Sequence, residues 1–184
     1  MRRSLRYFFS THIPHFDRVL LVESGSRHIF DNLLPGVKEQ YGDRFQADLV
    51  TCFTGQPDYL PATARVWRVW QHTDAASRKK LLAELRARRY NVVAIICSGE
   101  PIMTKWKWWL ALQIPAKVCV LNENGDYYWF DYSNWRTMLH FILFRAGLTG
   151  PSAFTTVTRL LLFPFALLYL LLWAGWAHLR RVKV

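Results

Sequence analysis

The sequence predicts an α/β protein: a Rossmann-like, doubly wound parallel sheet of five strands, followed by a C-terminal hydrophobic membrane helix. Two observations carry that expectation. Short, almost wholly apolar runs alternate with helix-patterned segments through the middle of the chain, as in a parallel sheet covered on both faces. The stretch from Leu160 to Leu179 then carries no formal charge and is mostly Leu, Phe, Ala and Trp. A bilayer core needs about 20 such residues of helix.

Taken in order, Arg18–Glu23 (RVLLVE) is the first strand, ending at Ser24-Gly25-Ser26. A helix follows from Ser26 to Tyr41, with Ile29, Phe30, Leu33, Leu34 and Val37 on its apolar face and Gly42 as its stop. Ala47–Phe53 is the second strand and Ala64–Val69 a weaker third. Asp74 is placed to cap a helix over Ala75–Arg89, which puts Leu81, Leu82 and Leu85 on one face. This helix serves as the crossover that parallel strands require. Val92–Cys97 (VVAIIC) is the fourth strand, Lys105–Gln113 a helix, and Lys117–Leu121 the fifth strand. Trp135–Ala146 is a last helix before Gly147, Gly150 and Pro151. The chain thus divides into a basic aromatic segment (1–16), the Rossmann-like domain (17–135), an amphipathic interfacial helix and linker (136–150), and a membrane-anchoring helix with a basic tail (151–184).

Charge distribution narrows the class of partner. The net charge is +11, yet residues 1–16 and 151–184 contain no acid. Arg2, Arg3 and Arg6 flank aromatic residues at one end. Arg159, Arg180, Arg181 and Lys183 flank the apolar run at the other. Cations beside apolar and aromatic side chains suit anionic lipid headgroups, and no nucleic-acid recognition motif is present. Cys52, Cys97 and Cys119 form no CxxC pair and lie in apolar strands, as expected of reduced thiols on a cytosolic face. A membrane location with the globular domain on the cytosolic face is therefore expected. A true span then places RRVKV outside, against the positive-inside tendency, so a re-entrant or in-plane helix around Pro164 remains a second arrangement.

Ligands of open parallel sheets bind beyond the carboxyl ends of the strands, where the strand order reverses. With a 3-2-1-4-5 order, three loops meet there: Ser24, Gly25, Ser26, Arg27 and His28; Ser98, Gly99 and Glu100; and Asn122, Glu123, Asn124 and Asp126. Small hydroxyl and amide residues also make ordinary turns. The charged groups Glu23, Arg27, Glu100 and Glu123 are not needed for that purpose. His28 is the first candidate for a general base, because imidazole titrates near neutrality, although a helix-face histidine with a structural hydrogen bond is the alternative. Glu100 is the other candidate base, or a carboxylate that binds hydroxyls. Asp31 is spaced to orient Arg27 or His28. No metal constellation, Walker loop or G-x-S-x-G elbow is present. The aromatic runs TKWKWW and DYYWFDYSNW suit core and membrane-interface packing, with Trp106 and Trp109 on the core face of their helix.

The stretch RVLLVESGSRHIFDNLLPGVKEQYG, with its apolar strand, Gly25-Ser26 turn and Pro35 in the helix, resembles the first β-α unit of the heptosyltransferase-like glycosyltransferases of GT-B fold. NVVAIICSG resembles a later strand of the same acceptor-binding half, and the resemblance covers residues 17–135. The family's Gly-Asp pair, whose Asp is the proposed base, falls on His28 and Ile29 here, so His28 or Asp31 would replace it. The family's second domain, which binds the nucleotide-sugar donor, has no counterpart in these residues. What the resemblance implies is the membrane-anchored acceptor half of a split transferase. Such a half acts on a lipid-linked or membrane-proximal glycan acceptor with a separate donor-domain subunit. It binds no cofactor itself, and the nucleotide-sugar donor is supplied through the partner. The alternative is a non-catalytic binding or scaffold module on the same fold.

Overall fold

In a computed structural model the chain is described over residues 6–25, 27–55, 57–61, 63–98, 102–122, 124–150 and 153–182. It forms two compact units, one up to Trp135 and one from Arg136 onward. The first unit is an α/β domain built on a six-stranded mixed sheet of order β3-β2-β1-β4-β5-β6. Its strands are β1 (Arg18–Glu23), β2 (Gln46–Thr51), β3 (Val66–Arg68), β4 (Val92–Ile96), β5 (Lys117–Leu121) and β6 (Tyr127–Trp129). The first five pair in parallel and β6 pairs antiparallel to β5. The longer helices among the described residues of this unit are α1 (His28–Tyr41), α2 (Ala75–Ala87) and α3 (Thr104–Gln113).

The sixth strand corrects the expectation of five. The chain reverses between β5 and β6: the Asn122 amide donates to the Asp126 carbonyl at 2.9 Å, and Gly125 takes a left-handed φ of 82° that favours glycine. The aromatic run after it, Tyr127–Trp129, therefore folds back as an edge strand, which suits aromatic residues. An aromatic run of three residues is too short to show strand alternation, so it read as a packing cluster instead.

Register explains which face each strand residue takes. Val66, Leu49, Leu21, Ala94, Cys119 and Trp129 form one row across all six strands, and all lie in or against one core cluster with Ile29, Phe30 and Leu34 of α1. The alternate residues Leu20, Val22, Val93, Ile95 and Val120 are also buried and point to the other face by strand alternation. In α2, Leu81 and Leu85 are fully buried, and the expected cap is present, with the Asp74 carboxylate accepting from the Ser77 amide at 2.9 Å. Hydrogen bonding by the Ser77 side chain, and then by this amide, holds the Asp74 carboxyl down at about 2.

The second unit contains α4 (Trp135–Arg145), which starts on the last residue of the first unit, and α5 (Ala153–Val182). No residue of α4 is buried. α5 runs without a break through Pro164. Its Ala153–His178 stretch is 26 residues with none buried, about 39 Å of helix at 1.5 Å per residue. It is long and apolar enough to cross a hydrocarbon core about 30 Å thick.

Candidate functional site

β1 is central, and strand alternation carries its last residue, Glu23, onto the α1 face with Leu21. Glu23 is fully buried. Its register partner Thr51 donates its hydroxyl to the carboxylate at 2.6 Å. Arg27, at the entry to α1, donates Nε at 2.7 Å and Nη2 at 3.3 Å. The Tyr59 hydroxyl donates at 3.4 Å. The Arg27 guanidinium also lies 5.6 Å from the Phe53 ring centroid, and Nη2 reaches the Thr54 carbonyl at 3.4 Å. The Glu23 hydrogen bond raises the Arg27 pKa. Burial, then the Glu23 charge, pushes the Tyr59 phenol well above its usual value, so the phenol stays a donor. A buried charge is tolerated when paired and hydrogen-bonded in this way.

Beside this network, the sheet edge between β1 and β4 collects Ser24, Gly25, Ser98 and Lys107. The buried Ser24 hydroxyl donates to the Ile96 carbonyl at 2.8 Å, and the Lys107 ammonium donates to the same carbonyl at 3.0 Å. Gly25 is required by close approach: a Cβ there would sit 2.6 Å from Ser98 Oγ. Lys107 is the residue that sequence reasoning missed. It shares a buried helix face with Leu110 and Ala111, the i, i+3, i+4 spacing that marks a core-facing stripe. Trp106 and Trp109, expected on the core face, are only half-buried and pack edge-to-face with centroids 5.2 Å apart. Their face is rotated off the sheet because Lys107 and Leu110 occupy it.

The structure brings together Ser24, Gly25, Arg27 and Ser98 and adds Glu23, Thr51, Tyr59 and Lys107. His28 is exposed at the start of α1 and makes no hydrogen bond among the described residues. Asp31 is exposed and makes no side-chain bond among the described residues; the orienting carboxylate for Arg27 is Glu23. Asn122, Asn124 and Asp126 satisfy one another in the hairpin: the Asn122 side chain accepts from the Asn124 and Asp126 amides at 2.9 Å and donates to the Asp126 carboxylate at 3.1 Å. Ser26, Gly99, Glu100 and Glu123 lie outside the described residues. Among the described residues no group of three or more His, Cys, Asp or Glu side chains is placed to hold a metal ion.

Two clefts lie at the opposite, amino-terminal edge of the sheet. One, of about 680 Å³, is lined by His15, Asp17, Arg18, Tyr41 and Arg44 among others. The second, of about 710 Å³, runs beside Asp48, Tyr59 and Arg88. In its wall, Asp48 accepts from the Tyr90 hydroxyl at 2.7 Å and pairs with Arg88 at 3.1 Å.

No protein-family model, curated protein or solved structure matches this chain.

Proposed function

We propose that this protein is a membrane-anchored, Rossmann-like doubly wound module that binds a lipid-linked or membrane-proximal glycan acceptor, as the acceptor half of a split GT-B transferase. The domain lies on the cytosolic face. The observation that carries the reading is the convergence of Ser24, Gly25, Ser98 and the Glu23-held Arg27 beside the order reversal between β1 and β4, where open α/β sheets take ligands. Arg27 arrives pre-oriented by a buried carboxylate, and its Nη1 makes no bond among the described residues, so a hydroxyl or phosphate oxygen finds a fixed donor there. The unburied apolar α5 would anchor the chain in a membrane that carries a lipid-borne acceptor. Cys52, Cys97 and Cys119 form no disulfide with one another, which fits a reducing compartment. A nucleotide-sugar donor would be supplied by a separate donor-domain subunit. His28 is the exposed base available to accept the proton of the acceptor hydroxyl, and Glu100 is the second candidate.

One set of observations favours the non-catalytic alternative, a binding or scaffold module. Glu23 is fully committed to Arg27, Thr51 and Tyr59, and Asn122–Asp126 are committed to a turn. Purification of the full chain from native membranes in mild detergent, with mass spectrometry of stoichiometric partners, tests the first reading. Recovery of a subunit with a nucleotide-sugar-binding domain, and loss of sugar transfer in His28→Ala or Glu100→Gln with intact folding, is the expected result. Recovery of the chain alone overturns the split-enzyme reading and leaves the binding module.

A further inference from the structure

All thirteen acidic residues of the chain lie from Asp17 to Asp131. Both acid-free ends are basic, and they are separated by more than a hundred positions. The structure packs residues 7–10 against residues 130–132 of the same unit. Phe8 packs on Phe130 with centroids 5.6 Å apart, and Phe130 packs on Trp108 at 5.5 Å. Phe9 lies 6.3 Å from Tyr132. Beneath them, Lys117 at the start of β5 is fully buried and pairs with Asp131 at 2.6 Å. The same ammonium donates to the Tyr7 carbonyl at 3.4 Å and to the Ser10 carbonyl. Asp131 also accepts from the Ser133 hydroxyl at 2.5 Å and from the Asn134 amide side chain at 2.9 Å. The last acid of the chain is thus buried and neutralised, and it fixes the N-terminal segment against residues 130–134.

What this lock presents to solvent is aromatic. Phe9 is 68% exposed and Tyr132 63%, with Tyr7 and Trp135 also exposed. Arg6 beside them is exposed and makes no ion pair among the described residues. Large exposed aromatic groups beside unpaired cations mark a contact surface, and Tyr and Trp favour the boundary between lipid and water. Trp135 is the last residue of this unit, and from there the chain continues without an acid into α4 and α5.

We propose that the α/β unit carries its own lipid-contact face, Tyr7, Phe9, Tyr132 and Trp135 with Arg6, which seats on the anionic headgroups of the bilayer. This rests on the reading of α5 as a membrane helix and adds to it: the domain is held against the surface by a second, electrostatic and aromatic contact. A bilayer fits better than a protein groove because the flanking segments carry only cations, which anionic lipid attracts by about 1 kcal/mol each, or about fivefold per residue.

Photocrosslinking of the full chain in vesicles tests this. A benzoylphenylalanine is placed in turn at Phe9, Tyr132, Trp70 and Leu168. Trp70 is an exposed aromatic of the same unit outside the proposed face, and Leu168 is exposed on α5. In vesicles of phosphatidylcholine with phosphatidylglycerol, lipid adducts are expected at 9, 132 and 168 and not at 70. Adducts at 9 and 132 fall by about fivefold or more in phosphatidylcholine alone, while those at 168 do not change. Adducts at 9 and 132 no more frequent than at 70, with 168 still labelled, overturn the proposal and leave the membrane helix standing. Loss of labelling at 168 overturns the membrane reading and this proposal together.

Discussion

Replacing Glu23 by Gln isolates the network that holds the candidate edge. The change keeps shape and removes one charge. It leaves a carbonyl oxygen for one donor, and turns an amide N–H₂ toward the others among Arg27, Thr51 and Tyr59. Breaking a buried ion pair costs about 3–5 kcal/mol, and a lost hydrogen bond to a charged group about 1.5–3 kcal/mol. The Arg27 side chain is 33% exposed, so water recovers part of its solvation, and the net expectation is a loss of about 2–4 kcal/mol. For a unit of this size, at about 4 °C per kcal/mol, Tm falls by about 8–16 °C. Tryptophan fluorescence during thermal unfolding of the full chain in detergent reads this without interference from helix content in α5. Arg27→Met and the double variant complete a cycle. Because the pair is direct, the double variant should lose less than the sum of the singles, by about 1–3 kcal/mol. A Tm shift below about 2 °C for Glu23→Gln, or additivity within about 0.5 kcal/mol, would refute the claim that this ion pair organises the edge.

Gly25→Ala forces a Cβ to 2.6 Å from Ser98 Oγ and 3.2 Å from Ile96 Cγ2, and should destabilise by about 1–3 kcal/mol in the same melt; an unchanged Tm would show that the β1–β4 edge is loosely packed. Burial opposes ionisation of Asp131, but hydrogen bonds from Lys117, Ser133 and Asn134 outweigh it and hold the carboxyl below its usual range. A depressed folded value means stability that is full above the ordinary Asp pKa of about 3.9 and is lost as pH falls below it toward the folded value. The protection of residues 6–10 against hydrogen exchange, taken relative to the intrinsic rate at each pH, should therefore fall on acidification below about pH 4 and hold steady between about pH 5 and 8, and Asp131→Asn should remove the dependence. Burial pushes the Cys119 thiol up to about 12, so alkylation of the native protein at neutral pH should modify half-buried Cys52 first and spare Cys119 until unfolding; equal rates at the two would place Cys119 outside the core.

Much of the fold was legible because its strands are buried on both faces. VVAII and KVCVL are continuous apolar runs bounded by turn residues, and that pattern has few alternatives in a chain of this length. β1 and β5 lie where their runs end. The second strand ends at Thr51, short of Phe53, and the third is trimmed at both ends to Val66–Arg68, because Val69 opens a 3-10 turn. The site was less legible. Ser24, Gly25, Arg27 and Ser98 were found from their places after strands. The hairpin made from Asn122–Asp126 could not be separated from a binding loop by composition alone, since amide and carboxylate side chains serve either. Lys107 escaped because a lysine among tryptophans reads as a solvated charge. Only the register of α3 shows that its ammonium reaches the Ile96 carbonyl.

Three buried carboxylates of the domain share one design, and its consequence bears on function. Glu23 joins β1, β2, the start of α1 and Tyr59. Asp48 joins β2 to Arg88, Tyr90 and the Arg65 amide at 2.8 Å. Asp131 joins β5 to the N-terminal segment. Each is bound by one cation and by hydroxyl or amide donors, which are distant in sequence for Glu23 and Asp48 and local for Asp131, where the distant contact runs through Lys117. A carboxylate so bound is a poor general base, because its lone pairs are already occupied by donors. Proton transfer at the carboxyl edge, if the domain performs it, must then fall to a group outside these three networks. Among the described residues of the candidate site, exposed Asp31 and exposed His28 meet that condition, and the first candidate of the two is His28. Its replacement should abolish transfer without moving Tm, whereas replacement of Glu23 should move Tm first. That opposition separates the group that reacts from the group that positions.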